Sequence, residues 1–231
     1  MQTTPTNSGY LLTLMQLSDS ALPTGAFSHS FGMESYLDTG HVHDEASFAQ
    51  WLRLFLQQSL SYTDGLLLRL AFEAEDDSRI VELDQLIHAS ALPRQLRIAA
   101  QKMGARMLAV ALAGFPVPAL QSYQEAIRSG ICTGHPAIAY ALAARGAGAP
   151  LADALGSYLF STATSLTQNA IRAIPLGQDA GQRVIRQMHE TVNAAVARIY
   201  TLDDRDLGVA TPGLEIAQMR HEHQRARMFM S

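Results

Sequence analysis

Apolar residues along this chain recur at helical spacing far more often than they alternate. The stretch 151–174 contains no proline, and between Asp153 and Arg172 no residue is charged. A run this long without a charged face predicts a helix with other helices on most sides. Its small residues, among them Ala154, Gly156, Ser161, Ala163 and Ala170, permit close approach of those neighbours. Pro175 ends it. Ser, Thr, Gln168 and Asn169 recur too often for a lipid-facing span of roughly 20 apolar residues, so the stretch reads as a core helix.

The same pattern predicts further helices around it. A polar segment, 1–9, is expected to be flexible. Helices follow over 10–17 and 27–38, the second closed by Gly40. Asp44 caps a stronger one, with Phe48, Trp51, Leu52, Phe55, Leu56 and Leu60 on one face. A break at Thr63-Asp64-Gly65 precedes another, 64–75, and then 78–89. A long amphipathic helix over 92–113 stops at Gly114-Phe115-Pro116; Pro118 and Pro136 open the next two. After the central stretch comes 182–202, then a charged link to residue 213 and a closing helix, 214–229. No stretch alternates with period two long enough for a sheet. The fold class is therefore all-α: a single-domain bundle of roughly ten helices over 10–202, followed by a linker and C-terminal docking helix over 203–231.

Composition narrows the function. A net charge of −4 gives no overall attraction to nucleic acid or anionic membrane. The single cysteine, Cys132, forms no internal disulfide and no multi-cysteine zinc site. No Lys or Arg precedes Arg53, so the expected compartment is cytoplasmic. Lys102 is the only lysine and follows no glycine loop, which excludes a Walker phosphate loop; no Gly-x-Gly-x-x-Gly follows a strand either.

Candidate chemistry is sparse. Ser28-His29 suggests a nucleophile and base, yet neighbours on a helix point apart, and the strained elbow that presents such a serine is missing. His41 and His43 precede a helix and are the better metal-ligand pair; His221 and His223 diverge if helical. His135 before Pro136 reads as a capping or core histidine. Glu73, Glu75, Asp76 and Asp77 form a solvated acidic corner. No site has a full ligand set in sequence, so neither a metal nor a cofactor is expected. The end of the chain differs: Arg220, His221, His223, Arg225 and Arg227 are interleaved with Met219, Ala226, Met228 and Phe229. Arg, Met and aromatic side chains are favoured at interfaces. Docking onto a partner and packing back on the bundle are the two readings of it.

Four blocks carry a resemblance. Leu17-Ser18-Asp19-Ser20-Ala21-Leu22-Pro23-Thr24-Gly25-Ala26-Phe27-Ser28-His29-Ser30-Phe31-Gly32-Met33-Glu34 resembles the opening signature of the urease accessory protein UreF family. Gly134-His135-Pro136-Ala137 is similar to its middle segment, and Arg172-Ala173-Ile174-Pro175-Leu176-Gly177-Gln178 followed by Gly181-Gln182 to its most recognisable block. His221-Glu222-His223-Gln224 and Arg227-Met228-Phe229 resemble its tail. Phe31 stands where the family commonly has a polar residue, and Gln95 where it commonly has glutamate.

The resemblance implies an all-helical, homodimer-forming accessory protein with no catalytic residue. It would bridge UreD (also called UreH) and the GTPase UreG, dock with them on apo-urease, and regulate GTP-dependent nickel insertion. Arg172 falls where the family has a basic residue linked to that control. Arg220, His221, Glu222, His223, Arg225, Arg227 and Phe229 form the tail expected to become ordered against UreD. Removal of that tail is expected to leave the fold intact. The alternative is a histidine-based nickel-binding metallochaperone using His41, His43 or the tail histidines.

Overall fold

A computed structural model describes residues 9–231; the flexible segment expected over 1–9 lies, but for Gly9, outside the described residues. The described chain is all-α. Helix α1 (Gly9–Leu17) buries Leu14 and Leu17 and is followed by a loop to α2 (Met33–Asp38). In α3 (Glu45–Leu54), Asp44 accepts the Ser47 amide at 2.9 Å, and the Ser47 hydroxyl accepts the Asp44 amide at 3.0 Å. This reciprocal pairing satisfies two amides that a bare helix start leaves open.

The break expected at Thr63-Asp64-Gly65 does not exist. The chain continues from α3 through an eleven-residue π-helical segment, Phe55–Gly65, into α4 (Leu66–Glu73). Gly65 keeps right-handed helical angles. Its missing side chain serves packing instead, because a Cβ there would lie 2.6 Å from Ile199 Cδ1. The wider π turns, frequent at functional positions, hold the apolar face that periodicity predicted: Phe48, Trp51, Leu52, Phe55, Leu56 and Leu60 are all buried.

Next come α5 (Asp77–Ser90), α6 (Arg94–Gly114), α7 (Pro118–Arg128) and α8 (Pro136–Gly146). They are followed by α9 (Leu151–Ala173), α10 (Gln178–Ile199) and α11 (Pro212–His221). Pro118, Pro136 and Pro212 each occupy a first helical turn, where a missing amide costs nothing. The central stretch is the expected helix, α9, with only Ala152, Asp153 and Arg172 exposed. The helix most fully enclosed is α8, in which every residue from Pro136 to Ala144 is buried. Its alanines let α4, α6 and α9 close around it.

Two further expectations fail for one reason. The segment 27–38 is not a single helix. It makes one 3₁₀ turn, Ala26–Ser28, runs extended, and reverses at Phe31 (φ 53°) and Gly32 (φ 93°) before α2 begins. The closing helix ends at His221 rather than Phe229, and the chain beyond it folds back irregularly on the body. These two segments bind each other, and hydrogen bonds between them replace those of a continued helix.

Candidate functional site

The tail and the loop before α2 meet around Glu34. Its side chain accepts the Met228 amide at 2.5 Å and the Phe229 amide at 3.1 Å, and lies 2.8 Å from His221 Nε2. His221 is fully buried, and its Nδ1 lies 2.8 Å from Gln95 Oε1 on α6. Ser35 donates its hydroxyl to the Ala217 carbonyl at 2.6 Å, and Gln218 donates its side-chain amide to the Phe31 carbonyl at 3.0 Å. Gly32 is required here twice over. Its φ is positive, and a Cβ would lie 2.7 Å from Gln218 Cγ.

The last residues extend this seam. The Ser231 main-chain oxygen accepts the Ser30 amide and hydroxyl, both at 2.6 Å, and the Phe31 amide at 3.1 Å. His29 Nδ1 lies 2.8 Å from the Ser231 hydroxyl, and the Met230 amide donates to the Ser28 carbonyl at 2.8 Å. Asn169 of α9 donates to the His29 carbonyl at 2.9 Å. Burial above all, then the charges of Lys102 and His221, holds the His29 imidazole below its usual pKa. His29 is thus a buried neutral group facing Ser231, not a base beside Ser28.

Arg172 stands where these segments surface. Its guanidinium carbon lies 4.6 Å from the centre of the Phe27 ring and 5.6 Å from that of Phe229, so loop and tail each give it an aromatic face. Arg172 and Phe27 are exposed and Phe229 is buried. Of the predicted tail residues, Arg220, His223, Arg225 and Arg227 are exposed, Glu222 is half-buried, and His221 and Phe229 lie inside the body. The tail therefore cannot be cut away without opening the core, against the expectation that its removal leaves the fold intact. Sequence reasoning missed Glu34, Ser30 and Gln95, which fix the tail, and Asn169, which holds the loop that the tail meets. The first three lie 126 to 201 residues from their tail partners, beyond any local periodicity.

The other candidates have structural roles. His41 Nδ1 lies 2.8 Å from the Thr39 hydroxyl, and His43 Nδ1 lies 3.0 Å from the Gly40 carbonyl. Among the described residues no three His, Cys, Asp or Glu side chains are grouped to hold a metal. His135 accepts the Ala137 amide and caps α8, as expected. Asp76 caps α5, and Glu73 lies 3.6 Å from Arg69. Burial and the nearby Asp84 push the Cys132 thiol up to about 12, keeping it protonated and unreactive. No helix of the described residues is long and apolar enough to cross a membrane.

The family model described as UreF matches residues 42–189. Over 222 residues the chain is 54% identical to the urease accessory protein UreF of Arthrobacter sp. (strain FB24), covering 96% of this chain and 97% of that protein. It is 53% identical to the protein of that name from Paenarthrobacter aurescens (strain TC1), over 96% and 98% of the two chains. Identity to the Corynebacterium efficiens protein of that name is 51%, over 95% of this chain and 96% of that one. With identity at this level along nearly the whole length, the chain belongs to the urease accessory protein UreF family.

Proposed function

We propose that this chain works in urease maturation as a scaffold without catalytic chemistry of its own. It bridges UreD/UreH and the GTPase UreG, acts in the cytoplasm as a homodimer, and times nickel insertion into apo-urease. The observation that carries this reading is the junction at Arg172. Loop, α9 and tail converge there and hold one exposed guanidinium between Phe27 and Phe229. A planar cation fixed on two rings loses little entropy on meeting a partner's carboxylate or phosphate. By favouring one conformation of a bound GTPase, such a contact alters timing without supplying a catalytic group.

Exposed Arg220 in the last turn of α11, with Arg225 and Arg227 beyond it, offers a second contact surface. His41 and His43 offer little to a metallochaperone reading, since each directs a ring nitrogen to its own loop. The test is capture of purified UreD and UreG by the full chain, by Arg172→Ala, and by Arg220→Ala/Arg225→Ala/Arg227→Ala. Arg172→Ala is expected to lose UreG and the triple variant to lose UreD. Full capture and normal urease activation by both would overturn these assignments.

A further inference from the structure

We propose that the groove between α2 and α11 receives a short, extended, acidic segment of a partner protein; this rests on the scaffold reading above. The groove has a volume of about 590 Å³, and residues 223–226 at the start of the tail line it together with α2 and α11. Arg220 and Arg225 line it, with His41 and His223, against a single carboxylate, Asp38. Arg220 and Arg225 make no ion pair among the described residues. The negative end of the α11 dipole accounts for Arg220 in its last turn. It does not account for Arg225, which lies beyond the helix. In a chain of net charge −4, two unpaired guanidiniums flanking one groove are a local inversion of sign.

The floor defines the occupant. Ile216, 48% exposed, lies one turn before Arg220 and so on the same face of α11. From Gly213 to Arg220 the helix rises about 10 Å, the span of roughly three residues of extended chain. An apolar side chain resting on Ile216 therefore brings an Asp or Glu two or three residues away to Arg220 and Arg225. A free phosphate would satisfy the arginines but leave Ile216 uncovered. Asp38 would also oppose a denser negative charge than one or two carboxylates.

The experiment places the photoreactive residue benzoyl-phenylalanine at position 216 of the full chain. The chain is assembled with purified UreD and UreG, irradiated, and the cross-linked peptide is identified by mass spectrometry. The expected peptide comes from a partner and carries Asp or Glu within four residues of the cross-linked site. Arg220→Glu/Arg225→Glu should cut its yield at least tenfold, with the urea midpoint lowered by no more than a reversed charge at the C-terminal end of α11 accounts for. An assembly with no cross-link at 216, a cross-linked peptide lacking acid, a cross-link to a second copy of this chain, or a yield indifferent to charge reversal overturns the groove and leaves the scaffold standing. Failure of the unmodified chain to capture either protein overturns both.

Discussion

Glu34 and His221 are 187 residues apart in sequence and 2.8 Å apart in the fold, and the tail is fastened through that pair. The carboxylate also holds two consecutive tail amides, so three donors depend on one side chain. Glu34→Ala should cost about 2–4 kcal/mol, because a buried donor left unpaired costs roughly 1–3 kcal/mol and His221 has no route to water. Glu34→Gln, which keeps acceptor oxygen but no charge, should cost about half as much. Urea unfolding gives the size. Amide exchange at Met228 and Phe229 should accelerate more than exchange in α8, and uniform acceleration would mean that the effect is not confined to the tail.

Stability should fall on mild acidification. His29 and His135 are both held below the usual histidine pKa of 6.5, chiefly by burial, with Asp64 and Asp84 opposing the shift at His135. The unfolded chain therefore binds protons that the folded chain refuses. Stability is fully present above pH 6.5 and is lost as pH falls below it, towards the lowered folded values. Urea midpoints measured from pH 7.5 to 5.5, above the ordinary carboxylate range, should decline, and His29→Asn should flatten the decline. An unchanged slope in that variant would remove His29 from the account.

Asp84 is a fully buried carboxylate with no cationic partner among the described residues, compensated instead by hydrogen-bond donors. It accepts the Tyr123 hydroxyl at 2.6 Å, the Thr133 amide and hydroxyl at 2.6 and 3.0 Å, and the Gly134 amide at 3.0 Å. Tyr123 in turn accepts the His135 amide at 2.8 Å, so this one group sets the loop that starts α8. Asp84→Ala should lose about 3 kcal/mol or more by stranding those donors. Asp84→Asn should lose less, since one amide oxygen can still accept. Thermal unfolding of the two variants tests the order.

The helices were legible in the sequence wherever the signal was local. Asp44, Pro118, Pro136 and Pro175 mark boundaries through their own backbone chemistry, and the uncharged run before Arg172 announced a helix enclosed by others. What was not legible depends on contacts between distant segments. Gly65 looked like a breaker because glycine often is one, and only the approach of Ile199 shows that it serves close packing. The helix expected to reach Phe229 stops at His221 because Glu34 offers the tail amides a better partner than the next turn would. Arg172 was found through family resemblance. Its two aromatic neighbours, far apart in sequence, could come only from the fold.

Glycines in helices should divide by what surrounds them. A Cβ on Gly104 would lie 2.8 Å from the Gly134 carbonyl carbon and from the His135 nitrogen, backbone atoms that cannot rotate aside. Gly104→Ala should push α6 off the loop before α8 and cost about 2 kcal/mol or more. Gly156, in α9, has nothing within 4 Å of a Cβ position. Gly156→Ala should stabilise by roughly 0.5–1 kcal/mol through helix propensity alone. Opposite shifts in melting temperature are expected, and a shared sign would contradict the packing described at Gly104.

On the proposed function, Arg172 should separate binding from folding most cleanly. It is exposed and pairs with no carboxylate among the described residues, so its loss forfeits little beyond two ring contacts, about 1 kcal/mol of stability. An exposed arginine preorganised by two aromatic rings is nevertheless the kind of residue that dominates an interface, where truncation commonly costs 2 kcal/mol or more. Arg172→Ala should therefore leave the unfolding curve nearly unchanged while weakening capture of the GTPase by about thirtyfold. Arg172→Lys should recover only part of that, because an ammonium keeps the charge but loses the planar fork and its stacking. Phe27→Ala should reproduce much of the defect with the arginine still present. If lysine proves as good as arginine, the site reads charge alone and the two rings are incidental.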